Sequence, residues 1–265
     1  MPVLHWATQH RTWLLGIGVA VVVAAVAFGV WLLALRSPAT GVDMNQALRL
    51  YRQLQPAGQA HGAGDLPPPG VYRYGTSGSE KLSVGGISRT FPTSTEMIVT
   101  DASCATVVWE PFTQHTEGLV ECPQPAGALS MTTAMSHEQI AGVVTTDVIG
   151  CPPSAYLVPP PSVGERWNAT CHATGQTVVL VGQVVGVSSV DVGGDTIPAL
   201  HTRLTLSFSG AETGTNPSDY WVSLDDGLIL REQESVDIAE SGGPLGTVHY
   251  SERMAITLTS PTPTR

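Results

Sequence analysis

The sequence predicts a mainly β protein, an antiparallel curved sheet or open barrel of about 10–12 strands. One transmembrane helix and a short juxtamembrane helix precede it. Three observations carry this prediction. Apolar and polar residues alternate in short runs from Val71 onward. Turn signals rich in Gly, Asp and Pro separate the runs. The strand–helix alternation that builds a parallel sheet does not occur. Composition agrees: 28 Gly and 20 Pro among 265 residues leave little room for long helices.

The exception lies near the N-terminus. Between Arg11 and Arg36, the 24 residues Thr12–Leu35 carry no charge. At about 1.5 Å rise per residue this run crosses a hydrocarbon core of about 30 Å with some tilt. Trp13 and Trp31 lie near its ends, where indole rings favour the headgroup level. The run is longer than the apolar stretch of a cleaved signal peptide, and no Cys follows closely for lipid attachment. Flanking charges are too balanced to orient the span. A short leading tail and four cysteines that all follow the span orient it instead, with the bulk of the chain in an oxidising compartment.

The expected organisation is therefore a cytoplasmic tail at 1–11 and a transmembrane helix at 12–35. A juxtamembrane helix and Pro-rich linker follow at 36–69, then an extracytoplasmic β domain at 70–260 and a disordered tail at 261–265. The localisation is the cell membrane, single-pass. In the juxtamembrane segment, Asp43 is placed to cap a helix, with Gln46 three residues on as its capping-box partner. Met44, Ala47, Leu48, Tyr51 and Leu54 share one face, and Arg49 and Arg52 lie opposite. Such a helix serves as a stalk at the membrane, packs on the domain or pairs with a neighbouring chain. Pro56, Pro67, Pro68 and Pro69 mark the linker.

Strands are expected at 71–76, 79–85, 94–101, 104–110, 117–122, 127–134 and 142–149, then at 183–191 and 196–208. In the last of these, Leu200, Thr202, Leu204, Leu206 and Phe208 point one way. Tyr220, Val222 and Leu224 form another strand ending at Asp225-Asp226-Gly227, a hairpin signal. Residues 228–238 return from it. Val248, Tyr250, Met254, Ile256 and Leu258 form the last strand, in which Glu252 interrupts the apolar face.

The four cysteines allow three pairings. Cys104 and Cys122 flank a hairpin near Phe112-Thr113, which places them on adjacent strands. Cys151 and Cys171 flank the Pro-rich loop 152–162. The sequential pairing thus has a geometric reason. The wide spacings exclude a zinc site of two close Cys pairs.

Chemistry-bearing motifs are absent: no nucleophile elbow, paired-His zinc helix, P-loop or dinucleotide fingerprint occurs. Asp191 and Asp195 flank a Gly pair and read as a polar hairpin rather than a calcium loop. His201 and His249 fall on the solvent side of their strands and would meet only if those strands were neighbours. No catalytic residue, cofactor or metal ligand is expected. A net charge of −10 without a basic cluster excludes nucleic acid as a partner.

Two stretches resemble known envelope proteins. One runs Val190-Asp191-Val192-Gly193-Gly194-Asp195-Thr196-Ile197-Pro198-Ala199-Leu200-His201, then Asp219-Tyr220-Trp221-Val222 and Gly227-Leu228-Ile229-Leu230-Arg231. It is similar to the strand series of bacterial envelope proteins grouped near the lipoprotein-carrier-like open β-barrels. The other, Gly70-Val71-Tyr72-Arg73-Tyr74-Gly75-Thr76-Ser77-Gly78, resembles the first strand of single-pass, disulfide-bearing envelope proteins of the high-GC Gram-positive type. The resemblance implies a curved antiparallel sheet with an apolar groove and supplies no catalytic residues.

Together these readings predict a membrane-anchored binding domain at the cell envelope, taking an apolar or lipid-like ligand. Leu200, Leu204, Leu206, Phe208, Tyr220, Val222, Met254 and Ile256 are in phase to line a groove or to fill a closed core. The alternative is a structural module that docks onto another envelope protein. A hydrolase is the third reading.

Overall fold

The computed structural model describes residues 39–54, 66–83, 86–140, 143–158, 162–241 and 246–265. The tail 1–11, the apolar run Thr12–Leu35 and linker residues 55–65 lie outside the described residues. Among those described, no helix is long and apolar enough to cross a membrane.

Helix α1 (Met44–Leu54) begins as its sequence dictates. The Asp43 carboxylate accepts from the Gln46 amide N–H and the Gln46 side chain accepts from the Asp43 N–H, both at 2.9 Å. Two otherwise orphaned donors are thereby satisfied. The helix is an integral part of the domain rather than a free stalk. Ala47 and Tyr51 are buried against Val71, Ile98 and Val108 of the sheet, while Arg49, Arg52 and Leu54 remain exposed.

Among the described residues, fourteen antiparallel strands follow. They are β1 (Gly70–Leu82), β2 (Ile87–Thr90), β3 (Ser94–Asp101), β4 (Ala105–Phe112), β5 (His115–Pro123), β6 (Leu129–Ile140) and β7 (Val143–Gly150). The remainder are β8 (Tyr156–Val158), β9 (Arg166–Ala173), β10 (Gln176–Val192), β11 (Asp195–Gly210), β12 (Glu212–Ser223), β13 (Ile229–Ser241) and β14 (Thr247–Leu258). Each strand of the ring pairs mostly with its chain neighbour, and β14 returns to pair with β1 from Tyr74↔Leu258 to Leu82↔Tyr250. The result is a closed barrel of twelve strands, with β2 and β8 off the ring. This corrects the expected curved sheet or open barrel. Closure satisfies both edges with each other, so no long edge is left unpaired. At the seam Gly78 adopts φ +132°, and a Cβ there would lie 2.0 Å from the Arg253 carbonyl oxygen.

The helix marks the outside of the barrel. Val71, Ile98 and Val108 face α1, so their alternating neighbours Tyr72, Met97, Val99, Val107 and Trp109 face inward. Two apolar clusters fill the interior. The first joins those residues to Leu230, Met254, Ile256 and Leu258. The second holds Leu129, Leu157, Leu180, Leu200, Leu204, Tyr220 and Val222.

In this second cluster the chain fills its own interior. After Cys151 the chain turns through Pro152 and Pro153, and β8 then pairs with β6. Ala155 and Leu157 are buried, and the Leu157 carbonyl accepts from the Thr202 hydroxyl of β11 at 3.5 Å. The residues expected to line an apolar groove accordingly lie in packed cores. Leu200, Leu204, Tyr220, Val222, Met254 and Ile256 are buried, and Leu206 and Phe208 pack half-buried against them.

Three further expectations are revised. The segments 71–76 and 79–85 form one strand, β1, because Gly75 to Gly78 stay extended between the partner strands. Strand β9 was not expected, since its inward residues Trp167, Ala169 and Cys171 are mostly small and its outward ones polar. The tail 261–265 is docked rather than disordered: Thr264 exchanges two backbone hydrogen bonds with Val71, and Arg265 donates to the Pro69 carbonyl.

Candidate functional site

The barrel interior is not uniformly apolar. Alternation on β1 carries Tyr72, Tyr74 and Thr76 inward and continues to Glu80, which is 1% exposed. On β14 the inward set is Tyr250, Glu252, Met254, Ile256 and Leu258, with Glu252 also 1% exposed. Strand β13 contributes Glu232 and Glu234, both buried, and β5 contributes His115, Glu117 and Glu121. Strand phase therefore converges six glutamates from four strands inside one barrel, and a seventh, Glu138 of β6, stands opposite His115 at the margin. Among the described residues, two cationic side chains accompany them, His115 and Arg89 of β2.

The polar groups are organised around Glu80. Arg89 lies directly opposite it in the β1–β2 register and forms an ion pair with it. His115, fully buried, places Nδ1 2.8 Å from Glu80 Oε2 and Nε2 3.2 Å from Glu117 Oε1. An imidazole held between two carboxylates donates from both nitrogens only as imidazolium. Burial by itself lowers its pKa; the hydrogen bonds to Glu117 and Glu80 and the nearby Glu252 charge outweigh burial and hold it well above the usual histidine value.

The remaining carboxyls lack such partners. Burial pushes Glu121 up to about 8, and neither of its oxygens has a hydrogen-bond partner. Burial, then the neighbouring Glu117, raise Glu234 to about 8, although Ser218 donates to it at 3.1 Å. Burial, then Glu234, raise Glu232. Burial, then Glu117, raise Glu252, whose Oε2 accepts from the Tyr250 hydroxyl while Oε1 has no partner. At the margin, burial lifts Glu138 of β6 to about 7.

Among the described residues, two groups bring three or more potential ligand atoms within 4.8 Å of one another. One is Glu80, His115 and Glu252; the other is Glu117, Glu234 and Glu252. Glu252 belongs to both.

The four cysteines form two disulfides, Cys104–Cys122 and Cys151–Cys171, with Cα–Cα distances of 4.4 and 4.3 Å. The first ties β5 to the residue before β4, beside the Ala105↔Glu121 pair. The second lies where the ring is thinnest. Among the described residues β7 and β9 share one register pair, Gly150↔His172. Continued pairing would reach Pro152 and Pro153, which have no N–H to donate. The covalent bond stands in for the missing ladder.

The histidines singled out by sequence do not meet. Strands β11 and β14 are separated by β12 and β13. His201 lies on the outer face, stacked on Trp221 with ring centroids 4.2 Å apart and its Nε2 2.7 Å from Asp219. His249 is exposed. Asp191 accepts from Thr196 across the Gly193-Gly194 turn, as a polar hairpin does. The carboxylate cluster was missed by sequence reading. Its one visible trace was Glu252, a charge in an otherwise apolar phase.

No protein-family model matches the chain, and no curated protein matches it by sequence. Solved structures similar to the chain include two at 10% identity. One is a candidate lipoprotein from Parabacteroides distasonis, with a TM-score of 0.33, covering 76% of this chain and 99% of that one. The other is the hypothetical lipoprotein YmcC from Escherichia coli, with a TM-score of 0.32, covering 81% of this chain and 97% of that one. Similarity this slight carries no statement about ligand, anchoring or activity.

Proposed function

We propose that this is a single-span envelope protein whose extracytoplasmic barrel binds a cationic ligand through its carboxylate-lined interior. The observation behind this reading is the charge imbalance. Glu80, Glu117, Glu121, Glu232, Glu234 and Glu252 converge inside the barrel against only Arg89 and His115 among the described residues. Removing a carboxylate from water costs several kcal/mol unless a cation or proton compensates it. Protons do so in the free protein, and a positively charged ligand that displaces them gains full Coulombic attraction in a low-dielectric site. Packing of Leu204, Leu200 and Val222 against Leu157 supports recognition by charge over an apolar or lipid-like ligand. The Thr12–Leu35 run supplies the anchor, and the two disulfides support an oxidising compartment for the barrel.

The test is thermal unfolding of the full chain in detergent with divalent cations, spermidine, a fatty acid and an apolar fluorescent probe. Cationic compounds should raise Tm, and the apolar ones should not. Stabilisation by the fatty acid alone would overturn the reading.

A second reading, docking onto another envelope protein, has its own support. Val179, Val181 and Val187 of β10 point outward and are exposed, as are Val144 and Val148 of β7. Cross-linking from β10 that captures a defined membrane protein, with no cation response, would favour it.

A further inference from the structure

The charge imbalance sharpens at one point. We infer that Glu117, Glu234 and Glu252 form a binding site for a hard divalent cation of the calcium class; this inference rests on the cationic-ligand reading above. The three carboxylates come from β5, β13 and β14, strands that the ring brings together, and each offers one oxygen with all three within 4.8 Å. That spread fits the diameter of a calcium coordination sphere, about 4.6–5.2 Å from ligand distances of about 2.3–2.6 Å. All donors are oxygens, the choice of calcium and magnesium rather than zinc or copper.

An acidic cluster alone is not a site, and a separate observation points to a ligand here. Glu252 is 1% exposed, its Oε2 is taken by Tyr250, and its Oε1 is buried without any hydrogen-bond partner. Native proteins rarely leave a buried carboxylate oxygen unpaired. Glu252 also stands directly opposite Glu80 in the seam, a like-charge pair. Arg89 and His115 neutralise Glu80, so Glu252 is the member left uncompensated. The other oxygens are held in place by neighbours, Glu117 by His115 at 3.2 Å and Glu234 by Ser218 at 3.1 Å. Such outer contacts orient ligating carboxylates. The Glu117 side chain is 29% exposed and gives the cation a route from solvent. A flexible coordination number suits calcium, which accepts carbonyl and water oxygens to complete its shell.

The experiment uses the full chain in detergent, stripped with chelator and titrated with CaCl2 and MgCl2 by calorimetry and native mass spectrometry. Wild type should take one Ca2+ per chain and gain several degrees in Tm. Glu117→Gln, partly exposed and so still folded, should weaken Ca2+ binding at least tenfold, and Glu252→Gln should abolish it. Glu165→Gln, in an exposed turn, should bind as wild type does. Ca2+ binding undiminished in Glu117→Gln would place the ion elsewhere and overturn the inference. Stabilisation by spermidine but not by Ca2+ would overturn the inference while leaving the cationic-ligand reading intact. No response to any cation would sink both.

Discussion

Glu80 on β1 and Glu252 on β14 stand directly opposite each other across the seam that closes the barrel. Two carboxylates in that relation repel, and strand pairs normally avoid it. The surroundings resolve the conflict asymmetrically. Glu80 keeps Arg89 and His115 as partners, whereas Glu252 faces further carboxylates, and burial, then Glu117, push its pKa upward. The two residues should therefore respond oppositely to the same substitution. Glu80→Gln strands a buried guanidinium and an imidazolium and should cost about 3–5 kcal/mol. Glu252→Gln resembles the protonated state and should leave stability unchanged below about pH 4.5 and raise it increasingly as pH climbs above that value. Urea unfolding of both variants at pH 4 and pH 8 checks this; equal losses would refute it.

Glu121 gives a pH dependence with a defined sign. Its folded pKa is about 8, above the ordinary 4.5, so the native state holds a proton that the unfolded chain releases earlier. Stability from this group is full below about pH 4.5 and declines as pH rises towards about 8. Each such proton contributes a slope of about 1.4 kcal/mol per pH unit inside that window. Glu121→Gln should flatten the fall in Tm between pH 5 and pH 8. An unchanged slope would mean that Glu121 ionises freely in the fold.

The two disulfides should differ in consequence. Loop closure over 18 or 20 residues makes each worth about 3 kcal/mol. Cys122 lies on β5 and Cys104 immediately precedes β4, two strands already joined by a ladder, whereas Cys151–Cys171 bridges strands with a single register pair among the described residues. Replacing Cys151 and Cys171 by Ser should speed amide exchange along β9 and β7, opening the ring there. Replacing Cys104 and Cys122 should lower Tm without local opening of β4 and β5. Uniform exchange in both variants would contradict the account.

Leu204 tests whether the second interior cluster is a packed core or a lined groove. It is 4% exposed among Leu157, Leu180 and Val222. Leu204→Gln should lose about 2–5 kcal/mol from lost packing and an unsatisfied amide. The wild type should show no saturable uptake of an apolar fluorescent probe. A mild loss of stability accompanied by wild-type probe binding would restore the groove.

The proposed single span, read from the Thr12–Leu35 run and the cysteines, carries its own test. Alkaline phosphatase fused to the C-terminus should be active in cells, and a cytosolic reporter at the same position silent. The reverse pattern would invert the protein.

Much of the fold was legible residue by residue. Alternation in Leu200–Phe208 and in 248–258 located β11 and β14, and Asp225-Asp226-Gly227 located the turn between β12 and β13. Asp43 and Gln46 announced the start of α1, and the hairpin near Phe112-Thr113 announced the Cys104–Cys122 bond. The candidate site was nearly invisible. Glu80, Glu117, Glu234 and Glu252 are spread over 173 positions, and nothing local distinguishes them from surface glutamates except their phase.

What the sequence determined by itself is therefore what short-range geometry controls. Side chains alternate along a strand because of the backbone pleat, and capping and turn residues act within three or four positions. Tertiary structure alone decided closure of the ring between β1 and β14, the neighbours of each strand and the docking of Thr264 on Val71. It also decided that the inward phase of β13 meets that of β5. Those outcomes depend on how many strands curl before an edge finds its partner, a property of the accumulated twist of the whole sheet. No window of the sequence contains it, and the carboxylate cluster exists only because the ring closes where it does.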